Sequence, residues 1–138
     1  MQEKRVMLLG CPIDCITMAE SLHYIDQAIT ERRILKHVVV NAAKLVYMQK
    51  DKTLYAAVTA SDLIHADGQA VVWAARFLKQ PLPERVTGID LMQQLVTMAA
   101  KRNRKIYCLG ASHDIVSKVV EIYRKQFGSS LIDLDLQY

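Results

Sequence analysis

The chain has 138 residues, 51% hydrophobic and 23% charged, which is ordinary globular usage and excludes a disordered tail. Five glycines and three prolines exclude collagen-like and low-complexity sequence, and one domain is the expectation from size. The formal charge of +4 suits anionic ligands such as nucleotide phosphates and is too small to argue for nucleic acid.

In chain order, Arg5–Leu9 is an apolar run that predicts a strand, broken by Gly10-Cys11-Pro12-Ile13-Asp14. Thr17-Met18-Ala19-Glu20 has the form of a capping box, and Leu22, Ile25, Ala28 and Ile29 recur at helical spacing to about Arg33. His37–Val40 is a β-branched run of the buried-strand kind, stopping at Asn41. Helix is expected from Ala42 to Gln49, and again after Asp51 with Leu54, Ala57 and Val58 on one face. Asp62–His65 predicts a strand ending at Ala66-Asp67-Gly68, followed by a helix through Val71, Val72, Ala75 and Leu78. After the Pro81–Val86 loop, Thr87-Gly88-Ile89-Asp90 reads as a helix start with Leu91, Leu95 and Met98 inward. Lys105–Leu109 predicts a strand, Gly110-Ala111-Ser112 a turn, and His113–Phe127 a helix with the stripe Ile115, Val119, Ile122 and Tyr123. Gly128 suits the position just past that helix, and Leu131–Leu136 reads as a last strand.

Short apolar strands alternating with helices mean an α/β fold, here a Rossmann-like, mainly parallel sheet with helices on both faces. The chain stops after a strand that a doubly wound sheet would cover with another helix. A longer fold cut short is therefore expected, with self-association through uncovered apolar surface. No apolar run reaches the ~18 residues that span a bilayer, and Met1–Leu9 lacks the form of a secretory signal, so a cytoplasmic chain is expected. Cys11, Cys15 and Cys108 are an odd set without further ligands at zinc spacing, and read as buried or half-buried thiols.

Ligands of open α/β sheets bind beyond the carboxyl ends of the strands. Three such ends carry polar or glycine residues: Asn41, Asp67-Gly68 and Gly110-Ala111-Ser112. Asn41 can hydrogen-bond a sugar or base, or satisfy its own turn. Asp67 can act as a general base or serve as a helix N-cap. The amides of Gly110-Ala111-Ser112 can hold a phosphate or form a plain turn capped by Ser112. Arg85, in the proline-bounded loop, can clamp a diphosphate or stand solvated. His65 and His113 read as structural or solvent-facing, and Lys101–Lys105 as a solvated helix end or an anionic-membrane contact.

Ala66-Asp67-Gly68, Val71-Val72-Trp73-Ala74 and Pro81-Leu82-Pro83-Glu84-Arg85-Val86-Thr87-Gly88-Ile89-Asp90-Leu91-Met92 resemble the WecG/TagA/CpsF glycosyltransferases (glycosyltransferase family 26). Leu9–Asp14, Asn41-Ala42 and Leu109-Gly110-Ala111 extend the likeness over nearly the whole chain. The resemblance implies inverting transfer of a sugar, typically N-acetylmannosamine, from a UDP-sugar to undecaprenyl-diphosphate-linked N-acetylglucosamine in bacterial surface polysaccharide synthesis. It implies no cofactor and no essential divalent metal, and peripheral contact with the inner face of the plasma membrane. Within it, Asp67 matches the catalytic base, Arg85 the arginine acting on the diphosphate, and Asn41 an asparagine lining the pocket. Gly110 and Ala111, with Ser112 beside them, match the glycine turn near the nucleotide.

Many relatives have Thr-Pro-Asn where this chain has Val39-Val40-Asn41. The family also continues into a second half that supplies a glutamine motif and a basic tail. A non-catalytic UDP-sugar-binding or assembly module is the alternative to the enzyme.

Overall fold

The computed structural model describes residues 4–110 and 112–128, and divides the chain into two compact units, Met1–Leu91 and Met92–Tyr138. The predicted strand at Leu131–Leu136 lies outside the described residues.

The first unit opens with a hairpin, β1 (Arg5–Leu8) paired antiparallel with β2 (Cys11–Asp14). Sequence patterning missed β2, because Gly10 and Pro12 read as breakers. Instead, Leu9 and Gly10 form a two-residue turn with φ of 48° and 76°, the left-handed geometry that matches strand twist. Gln49 Nε2 donates to the Leu9 carbonyl at 2.8 Å and Tyr55 Oη to that of Gly10 at 3.2 Å, which holds the turn.

Helix α1 (Met18–Thr30) carries the expected capping box: the Thr17 hydroxyl accepts from Glu20 N at 3.2 Å, and Glu20 accepts from Thr17 N at 2.7 Å. Its buried face is Ser21, Ile25 and Ala28, and Ile29 is exposed. Strand β3 (His37–Val40) leads to α2 (Ala42–Met48) and α3 (Lys52–Thr59), the latter capped by Asp51 as read from sequence. Strand β4 (Leu63–Ala66) runs parallel to β3, with His37 opposite Leu63 and Val40 opposite Ala66, and all four of its residues are buried. Helix α4 (Gln69–Phe77) follows, and packs Val71 and Ala75 inward.

The α/β class holds, with six helices, one antiparallel pair and one parallel pair among the described residues. Asp14 closes the gap between the two pairs. It is 3% exposed, takes Arg5 Nε at 2.6 Å, and accepts from the Ile64 amide at 2.7 Å. Arg5 also donates to the Asp62 carbonyl at 2.9 Å. A buried carboxylate is tolerable when its oxygens are paired in this way. Around it lies the main apolar cluster, which includes Val6, Ile13, Val40, Ile64, Val71 and Leu82.

The second unit holds most of α5 (Gly88–Lys101) and all of α6 (His113–Phe127). Lys105–Leu109 forms no strand among the described residues; only an isolated β-bridge at Ile106 remains. Helix α6 buries Val116 and Val120 against Val96 and Ala99, with Tyr123 and Phe127 beside them. The expected stripe is thus turned: Ile115 and Ile122 are 55% and 60% exposed. Two apolar rows at four-residue spacing compete on this helix, and spacing alone does not choose between them.

Candidate active site

Parallel pairing carries β3 and β4 to a common end, where the Asp67 amide donates to the Val40 carbonyl at 2.8 Å. Asn41 and Asp67 therefore follow neighbouring strands directly. Gly68, at φ 112°, is the N-cap residue of α4 and makes no side-chain cap bond. A β-carbon there would be strained, and would lie 4.0 Å from Asn41 Cβ. This closeness brings two of the three strand ends named from sequence into one place.

The local bonding separates alternatives that composition left open. Asn41 is the N-cap of α2, its Oδ1 accepting from Lys44 N at 2.8 Å. The cap uses only the amide oxygen, so the side-chain nitrogen keeps two donors for other duty. Asp67 is not the cap of α4, because Gly68 takes that position. Its residue is half-buried, and no hydrogen bond or ion pair among the described residues engages its carboxylate. Lys44 Nζ donates to the Val39 carbonyl at 2.8 Å, which places a cation beside the β3 end.

Arg85 is exposed on a loop that is itself anchored. Leu82 joins the main core at 8% exposure, and Val86 is buried at 1%. The Glu84 carboxylate accepts the Met18 amide at the start of α1. A β-carbon on Gly88 would stand 3.6 Å from both methyls of Val39, so the loop's far end closes onto β3. Thr87 and Asp90 secure the start of α5, with Thr87 Oγ1 donating to Asp90 Oδ2 at 2.6 Å. The guanidinium is thus carried by a fixed backbone rather than a free loop.

Gly110 and Ser112 belong to the second unit, and Ala111 lies outside the described residues. Gly110 has φ 120° and open space where a β-carbon would be. Ser112 occupies the N-cap position of α6, its carbonyl accepting from Ile115 and Val116 at 3.0 Å, but its hydroxyl makes no cap bond. Among the described residues no group of three or more His, Cys, Asp or Glu could hold a metal ion. The three cysteines are free and buried or half-buried, as expected, and burial pushes the Cys11 thiol up to about 11.

Sequence reasoning missed a polar chain beneath this end. His65, 1% exposed on β4, lies with Nε2 2.9 Å from Ser21 Oγ and Nδ1 2.8 Å from His37 Nε2. The Ser21 hydroxyl proton goes to the Thr17 carbonyl at 2.7 Å. His65 Nε2–H must then donate to Ser21, and His37 Nε2–H to His65 Nδ1, so the His65 ring is neutral. Burial, with His37 as second cause, holds the His65 imidazole down at about 4, and burial also lowers that of His37. A detectable signal was present: His37 and His65 occupy β-runs that pair, on the same face at period two. This chain fixes β4 two residues before Asp67.

Two curated relatives are the N-acetylglucosaminyldiphosphoundecaprenol N-acetyl-beta-D-mannosaminyltransferases of Staphylococcus aureus strains NCTC 8325 / PS 47 and COL. Each is 29% identical over 114 residues, which is 81% of this chain and 45% of the relative. The protein of the same name from strain MRSA252 is 28% identical over 113 residues, 80% of this chain and 44% of the relative. The chain spans less than half the length of these proteins. Residues 6–133 match the Glycosyl transferase WecG/TagA/CpsF family, and the chain belongs to that family.

Proposed function

We propose that the β3–β4 end is the sugar-transfer site of an inverting glycosyltransferase. The donor is a UDP-sugar of the N-acetylmannosamine kind, and the acceptor is N-acetylglucosamine on a diphosphate-linked polyprenol. One observation carries this reading: Asn41 and Asp67-Gly68 meet at adjacent strand ends, with the Asp67 carboxylate not engaged among the described residues. The names of the relatives support the acceptor and the transferred sugar.

A sugar hydroxyl is a poor nucleophile until its proton is removed, and Asp67 is the group placed to take it. The hydroxyl oxygen then attacks the anomeric carbon, the bond to UDP breaks, and the diphosphate leaves with its electron pair. Arg85 balances that developing charge. Asn41 donates to the sugar through its amide nitrogen. Taken by itself, the Gly110-Ala111-Ser112 turn of the second unit is of the kind whose amides suit nucleotide phosphates. The reaction so drawn needs no cofactor. The chain is read as part of one glycosyltransferase domain, with β3 and β4 belonging to a Rossmann-like sheet. A lipid-linked acceptor places the working protein peripherally at the inner membrane face; no helix among the described residues is long and apolar enough to cross a membrane.

One experiment separates this reading from a nucleotide-sugar-binding module that does not complete transfer. The test supplies UDP-N-acetylmannosamine and a diphospholipid-linked N-acetylglucosamine and measures UDP release. The enzyme reading expects turnover that falls roughly 100- to 10,000-fold in Asp67→Asn, while UDP still binds. Equal turnover in that variant removes Asp67 from the mechanism. UDP binding without any product selects the module.

A further inference from the structure

Helix α4 follows its N-cap Gly68, the residue after Asp67, and presents two opposite faces. Val71 and Ala75 sink into the core at 2% and 0% exposure. On the other side Trp73 and Phe77, four residues apart and so on one face, are 63% and 87% exposed, and Leu78 at the helix end is 51% exposed. Arg76 and Lys79 flank this apolar seam, both exposed, with no ion pair among the described residues. From Gly68 to Pro83 the chain contains no carboxylate at all.

Exposed aromatics beside cations, with acids excluded, form the chemical signature of a surface that meets phospholipid headgroups. The geometry points to the Trp73–Phe77–Leu78 face of α4, with Arg76 and Lys79, as the surface that docks on an anionic bilayer. The inference rests on the lipid-linked acceptor of the proposed function, and adds which surface faces the lipid. Nine residues of α4 extend about 13 Å. Asp67 precedes the N-cap of this helix, so a docked α4 keeps the proposed site within about one helix length of the bilayer-facing residues.

Trp73 is the only tryptophan in the sequence, so its emission reports on this face alone. The full chain is mixed with vesicles of phosphatidylglycerol and, separately, of phosphatidylcholine. The expected result is a blue shift of Trp73 emission and co-sedimentation with the anionic vesicles, weakened by high salt. Arg76→Gln and Lys79→Gln should each lower vesicle affinity roughly fivefold. Phe77→Ser should lower it about tenfold or more, with the far-ultraviolet dichroism unchanged because the side chain is exposed. Vesicle binding that survives all three substitutions, or a blue shift that depends on protein concentration without vesicles, overturns the assignment; the latter means a second copy covers the face. UDP binding on the same samples separates the two claims: its loss with docking intact sinks the proposed function, and the reverse sinks the docking surface.

Discussion

The two units hold themselves together by different means. In Met1–Leu91 the core is knitted by polar links as well as apolar packing: Arg5–Asp14–Ile64 joins the strand pairs, and Ser21–His65–His37 joins α1 to them. In Met92–Tyr138 the described core is Val96, Ala99, Val116 and Val120 with half-buried neighbours, packed as one helix face on another. Hydrogen bonds to a buried carboxylate or imidazole demand one geometry, whereas an apolar helix face accepts several. The residues proposed to carry the chemistry, Asn41 and Asp67, lie in the unit with the polar links.

The largest break in that comparison should come from Asp14→Ala. It strands the buried Ile64 amide and removes the ion-pair partner of Arg5, which keeps the Asp62 carbonyl, and should cost about 3 kcal/mol in denaturant unfolding of the chain. A loss below ~1 kcal/mol would show that apolar packing alone holds the strand pairs.

Acid is the next lever. The His65 imidazole titrates near 4 when folded and near its ordinary 6.5 when unfolded. Below pH 6.5 the unfolded chain takes up a proton that the folded chain refuses, so stability is full above 6.5, falls with pH, and reaches its floor below 4. The loss is of order 3 kcal/mol. Unfolding midpoints from pH 8 to 4 should show it, and His65→Gln should flatten the slope. A slope of the same size in that variant would assign the effect to other groups.

A smaller contrast tests the second unit. Val120→Ala should cost about 2 kcal/mol and Ile122→Ala less than about 0.5, measured by thermal unfolding or by amide exchange along α6. The reverse order would restore the stripe read from sequence.

What could be read in advance follows from how local each signal is. The Thr17–Glu20 capping box and the Asn41 and Asp51 caps depend on residues three apart, and all were legible in sequence except that Asn41's capping role competed with ligand binding. The ends of β3 and β4 were legible because β-branched runs stop abruptly there. The β1–β2 hairpin was not, since Leu9 adopts a left-handed turn usually taken by Asn or Gly. The turned face of α6 was not, because which apolar row is buried depends on the partner α5. The Ser21–His65–His37 chain joins positions up to 44 residues apart, and only the strand register reveals it.

In the proposed function a sugar nucleotide occupies the β3–β4 end. Titrating UDP into isotope-labelled protein and following backbone amide shifts tests it most directly. Saturable shifts should cluster at Asn41-Ala42, Asp67-Gly68 and Arg85–Thr87, and Arg85→Ala should weaken the affinity. Shifts confined to other residues, or no saturable shift at all, would contradict the assignment.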